Sequence, residues 1–143
     1  MAGSTASGFD GLRLRHWTPA RREDGVLVLN FDRHDESVNA FSQDVLIELA
    51  DVLERISIDP PKGVVIASAK DSGFIAGADL KEFQEFDRKG TVNDAIRRGQ
   101  AVFQKLAELP CPTVSAIYGL GDPNEYFRMV LHMVRGERID QRE

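Results

Sequence analysis

The sequence predicts an α/β fold with mainly parallel strands in its core, on three observations. Short runs of leucine and β-branched residues at Val26–Phe31, Gly63–Ser68 and Thr113–Tyr118 read as strands. Longer segments between them carry apolar residues at helical spacing. Prolines punctuate the change from helix to strand, at Pro60-Pro61 and at Pro110 and Pro112.

Each element follows from its own residues. Leu12, Leu14 and His16-Trp17 alternate with Arg13 and Arg15, the pattern of a half-buried strand. Thr18 to Gly25 is turn chemistry leading into Val26–Phe31, so these two strands are expected to pair as a hairpin. Asp32 to Phe41 is a polar loop. Ser42 is placed to cap a helix whose first turn holds Asp44, and Val45, Leu49, Val52, Leu53 and Ile56 form its apolar stripe. Gly63–Ser68 has the composition of a strand buried on both faces in a parallel sheet. Small and turn residues fill Ala69 to Ala78, and Asp79 opens a charged helical stretch from Leu80 to Lys89. Thr91 to Asp94 resembles a capping box with Asp in place of Glu, followed by the stripe Ala95, Val102, Phe103 and Leu106.

The ends of the chain differ in character. Residues 1–8 are small and polar and read as a flexible arm. In the tail, Asp122 can cap, Pro123 suits a first turn and Glu125 completes a capping box. Phe127, Val130, Leu131 and Val134 then form a stripe that Gly136 can end.

Composition excludes several classes. With 143 residues and 42% hydrophobic content the chain suits one domain and is too apolar for a disordered one. Its longest apolar runs fall far short of the ~20 residues of a membrane helix. Lys and Arg number 18 against 23 Asp and Glu, a net charge of -5, so no basic excess marks a nucleic-acid protein. One cysteine, Cys111, rules out an internal disulfide and points to a reducing compartment; with no signal pattern at the start, a cytoplasmic protein is expected. His16, His34 and His132 lack ligand spacing, so no metal site is expected. Glu82 and Glu85 read as a solvated helix face, and Phe83 and Phe86 as core or lid contacts.

The segment Gly73 to Phe83 holds the most chemistry. It leaves a buried strand and enters a helix, where backbone amides lack internal acceptors and can serve an anion or a developing oxyanion. Gly77 permits unusual backbone angles, and Ala76 and Ala78 leave room for a ligand. The competing reading is a tight connection that binds nothing. A dinucleotide site at Gly119 to Asn124 is disfavoured, because Asn124 replaces the third glycine and no strand separates the helix from Asp140.

Phe74-Ile-Ala-Gly-Ala-Asp-Leu80, following Gly63 to Ser68, resembles the signature of the enoyl-CoA hydratase/isomerase (crotonase) family. Val26 to Asp32 resembles its first core strand, Ser37-Val-Asn-Ala-Phe41 its coenzyme A loop, and Leu109 to Gly119 its next strand. The Ser-Val-Asn form resembles the N-terminal hydratase part of bacterial fatty acid oxidation complex α-subunits. The resemblance runs over roughly residues 9 to 120. It implies a ClpP/crotonase-like ββα spiral fold, of which only the N-terminal portion is present, with a divergent helical tail at 121–143.

The same resemblance implies a function. It is the hydration of trans-2-enoyl-CoA thioesters in fatty acid β-oxidation, a lyase activity needing no cofactor beyond the coenzyme A of its substrate. The backbone N–H of Ala78 would be the first oxyanion donor. Ala76, Gly77, Ala78, Asp79, Leu80 and Lys81, with Ser37, Val38, Asn39 and Ala40, would line the acyl-thioester site. The family continues after Gly119 with a glycine cluster, a second donor and two water-activating glutamates. Here Gly121 is isolated, Glu125 falls two positions short, and the chain ends at Glu143. The alternative is therefore a non-catalytic fragment that binds acyl-CoA or a partner subunit. Truncation predicts self-association, or assembly with fatty acid oxidation complex subunits.

Overall fold

The computed structural model describes residues 8–117. The expected arm (apart from Gly8), Tyr118, the Gly119 to Asn124 segment, His132 and the tail at 121–143 lie outside the described residues. Four strands form one sheet in the order β1-β2-β3-β4. They are β1 (Trp17–Arg21), β2 (Val26–Phe31), β3 (Gly63–Ser68) and β4 (Thr113–Ser115). The helices are α1 (Gln43–Ile58), α2 (Leu80–Lys89) and α3 (Val92–Ala107).

β1 and β2 form the expected antiparallel hairpin, with Trp17 opposite Phe31. Its turn is shorter than the sequence suggests, since strand pairing runs to Arg21 and only Arg22 to Gly25 turn. Pro19 lies within β1, opposite Leu29, at an edge of the sheet where, among the described residues, no second strand needs its missing N–H. The strand expected from Leu12 does not form before Trp17, because Glu48 takes up the free backbone donors there. Its two carboxylate oxygens accept from the N–H groups of Arg15 at 2.7 Å and His16 at 2.9 Å.

β2, β3 and β4 are parallel, in register through Val28, Val65 and Val114. Leu27, Leu29 and Phe31 alternate onto one face and are buried there with Val64 and Ile66. The apolar stripe of α1, from Val45 to Ile56, closes that face. Burying one such side chain contributes about 1.5–3 kcal/mol. Ser42 caps α1 as expected, its Oγ accepting from the Val45 N–H. The capping box expected at Thr91 is absent; its hydroxyl donates backward to the Phe86 carbonyl.

An aromatic series leads from the sheet toward α3. Trp17 stacks on Phe31 with ring centroids 4.2 Å apart, Phe31 on Phe41 at 5.9 Å, and Phe41 meets the edge of Phe103 at 5.0 Å.

Candidate active site

Two loops leave the same end of the parallel sheet, residues 32–41 after β2 and 69–79 after β3. Parallel strands place successive loops side by side, which is why such ends gather sites. Here a row of backbone bonds joins the loops. Ala76 N–H donates to the Asn39 carbonyl at 2.8 Å, Phe41 N–H to Gly77 at 2.8 Å, and Asp79 N–H to Phe41 at 3.0 Å.

This is a parallel bridge between Phe41 and Ala78. In such a bridge the flanking residues 77 and 79 make the bonds, so the N–H of Ala78 itself points away from Phe41. Gly77 has φ +99°, and a Cβ there would touch nothing within 4 Å. The glycine is thus required by backbone angle rather than by space. Asp79 caps α2, its Oδ1 accepting from the Glu82 N–H at 3.1 Å.

Asn39 organises the first loop and is 1% exposed. Its Oδ1 accepts from Arg33 N–H, while Nδ2 donates to Phe31 O, Ser68 Oγ and Phe74 O. Lys70 Nζ reaches Asp32 Oδ1 and the carbonyls of Arg33 and Glu36. His34 N–H donates to buried His16 Nδ1 at 2.9 Å.

Beside Ala78 lies an apolar cleft of about 250 Å³ between the Phe41 to Leu46 segment, α2 and α3. Phe41, Phe83, Phe86, Gly99 and Phe103 are among its walls, with Ala78 and Asp79 at one side. Glu82 lines it too and is half-buried, its Oε1 accepting from Gln43 N–H at 2.7 Å, so it is not the solvated residue expected. Glu85 does face outward, paired with Arg88 and Lys89.

The structure therefore brings together most residues singled out in the sequence. Ala76, Gly77 and Ala78 are exposed on the loop, with Ser37 and Val38 exposed and Ala40 half-buried nearby. Asn39 is buried and its side chain is occupied internally. Leu80 and Lys81 are exposed at the start of α2. Sequence reasoning missed Arg33, whose Nη2 lies 2.5 Å from Asp79 Oδ2. Burial pushes the Asp79 carboxyl up, but Arg33 and the Glu82 N–H outweigh it and hold it below the usual carboxylate range. A lone arginine after a strand gives no sequence signal for this pair. Among the described residues no cluster of metal-ligating side chains occurs, and no helix is long and apolar enough to cross a membrane.

The mixed sheet with its three helices is an α/β arrangement, and the solved enoyl-CoA hydratase structures that align with it give it the crotonase fold. Over residues 21–122 it matches the enoyl-CoA hydratase/isomerase family model, and it belongs to that family. Among curated relatives, the fatty acid oxidation complex subunit alpha of Shewanella halifaxensis is 35% identical over 100 residues, 69% of this chain and 14% of that protein. The same subunit of Idiomarina loihiensis is 36% identical over 99 residues, again 14% of its length. Among solved structures, the enoyl-CoA hydratase of Bacillus anthracis aligns with TM-score 0.66 at 25% identity, over 73% of this chain and 40% of that one. DspI of Pseudomonas aeruginosa aligns with TM-score 0.67 at 26% identity, over 81% and 42%. The chain thus spans about one seventh of the length of these curated relatives.

Proposed function

We propose that this chain provides the thioester-holding half of an enoyl-CoA hydratase site in fatty acid β-oxidation. One observation carries the reading: the Ala78 N–H points away from Phe41, on a residue that lines an apolar cleft. A thioester carbonyl accepting from that N–H would lie beside the cleft that Phe83, Phe86 and Phe103 line, which offers an apolar place for the acyl chain. When water adds at the β-carbon, the double-bond electrons move toward the thioester oxygen, and a fixed donor stabilises the charge that develops there. A proton then returns to the α-carbon, giving the 3-hydroxyacyl thioester. No separate cofactor enters, since coenzyme A arrives with the substrate. A reducing, cytoplasmic setting belongs to the same proposal and rests on the lone thiol, Cys111.

A second reading, binding without hydration, has its own support. The carboxylates lining the cleft, Asp79 and Glu82, are both engaged, with Arg33 and with Gln43 N–H. Both therefore have structural work that competes with activating water. A hydration assay with crotonyl-CoA, paired with calorimetric titration by the thioester and by free coenzyme A, separates the readings. Turnover supports hydration; tighter binding of thioester than of coenzyme A without turnover supports the binding module. No turnover together with equal or absent binding overturns both.

A further inference from the structure

Arg33 touches both halves of the site and has no place in the family resemblance. Its backbone N–H donates to Asn39 Oδ1 at 2.9 Å, and the Asn39 carbonyl in turn accepts from Ala76 N–H. Its guanidinium meets the Asp79 carboxylate, with the two side chains only 14% and 17% exposed. Ala78 lies between these two attachments.

We infer that Arg33 is a positioning residue that sets the direction of the Ala78 N–H, and through it the polarisation of a bound thioester carbonyl; the second half of this statement rests on the reading above. The peptide joining Gly77 to Ala78 starts from the most permissive residue type, so its orientation depends on the anchors on either side. Upstream, the anchor is Asn39, held by Arg33 through the backbone. Downstream, it is Asp79, which is fixed by its own N–H to Phe41, by the cap bond from Glu82 and by Arg33. Removing the guanidinium leaves a mostly buried carboxylate without its counter-charge, and the carboxylate gains by turning toward water. That rotation draws Asp79, and the Ala78 peptide with it, out of the bridge. A pair this sheltered is screened less than an exposed one, so its orienting effect persists in salt. Arginine suits the role because its planar, always-charged guanidinium can bond one carboxylate oxygen, Asp79 Oδ2, while Oδ1 keeps the cap bond from Glu82 N–H.

The test uses the full 143-residue chain as wild type, Arg33→Gln and Arg33→Lys. Residual dipolar couplings from ¹⁵N-labelled protein report the Ala78 N–H direction, with α1 and the β2–β3 pair as internal controls. Infrared spectra of an acyl-CoA labelled with ¹³C at the thioester carbonyl report its polarisation when bound. The expected result for Arg33→Gln is a changed Ala78 coupling with unchanged controls. A smaller carbonyl shift and thioester binding weaker by about fivefold accompany it. Arg33→Lys recovers part of each. An unchanged Ala78 coupling in folded Arg33→Gln overturns the inference. If the wild-type protein shifts no carbonyl band, the thioester reading fails, while the coupling still decides the role of Arg33. Should Arg33→Gln unfold, Asp79→Asn keeps a capping oxygen but loses the ion pair, and it must move the same coupling.

Discussion

Asn39 Nδ2 donates to Ser68 Oγ at 2.9 Å, and Ser68 Oγ donates onward to the Gly73 carbonyl at 2.7 Å. This relay ties the loop after β2 to the end of β3 and to the glycine turn that presents Ala78. Through it the partly buried carbonyls of Gly73 and Phe74 find side-chain donors.

Replacing Asn39 by Leu is therefore expected to destabilise the fold by about 2–4 kcal/mol, because Phe74 O and Arg33 N–H lose the Asn39 side chain together and Phe31 O keeps only the Ala69 N–H. Urea unfolding of the variant against wild type measures this. A loss within experimental error would mean that water replaces the side chain.

His16 should make stability fall in mild acid. Burial holds its pKa below the usual histidine value, with Glu48 opposing and Arg15 adding to the effect. Its Nδ1 accepts the His34 N–H, so a proton there would set two donors face to face. The folded state refuses a proton that the unfolded chain accepts below about pH 6.5. The contribution is thus present above that pH and lost as pH falls through the depressed folded value. His16→Asn can keep an acceptor near Nδ1 and cannot titrate. Melting temperatures between pH 8 and 5 should diverge only on the acid side, wild type falling faster.

Gly99 lies inside α3, where a Cβ would meet Leu46 Cδ1 at 3.7 Å, an ordinary contact. Gly99→Ala should raise stability by about 0.5–1 kcal/mol by reducing the freedom of the unfolded chain. Gly99→Leu should fill the cleft. Calorimetry with short- and medium-chain acyl-CoA should then show the longer chain losing affinity and the shorter one keeping it.

Val28, Val65 and Val114 are half-buried and share the sheet face opposite α1, in register across three strands. Such a face favours association with a second copy or with a partner subunit. Light scattering over a dilution series should show apparent mass rising with concentration. A constant monomer mass would sink the expectation.

Most of the architecture was legible along the chain. Val26–Phe31, Gly63–Ser68, the Ser42 cap and the α1 stripe are local patterns, and their spacing alone fixes which face is apolar. The site loop was legible for a different reason: Gly77 and the small residues beside it mark backbone that must bend and stay open. The errors fell where distant partners override local preference. Glu48 satisfies the backbone at Arg15 and His16, so no strand forms there. Pro19 is accepted within β1 because that strand lies at a sheet edge.

The sequence by itself determined the order of strands and helices, the apolar faces and the segment that carries Ala78, since all of these depend on residues close together in the chain. Only the tertiary structure decided how the site is held. Arg33 and Asp79 are 46 positions apart, Gln43 and Glu82 are 39, and Asn39 and Ser68 are 29. Charged and polar groups recognise one another by distance and direction, and these exist only once the parallel sheet has brought its two loops to the same edge.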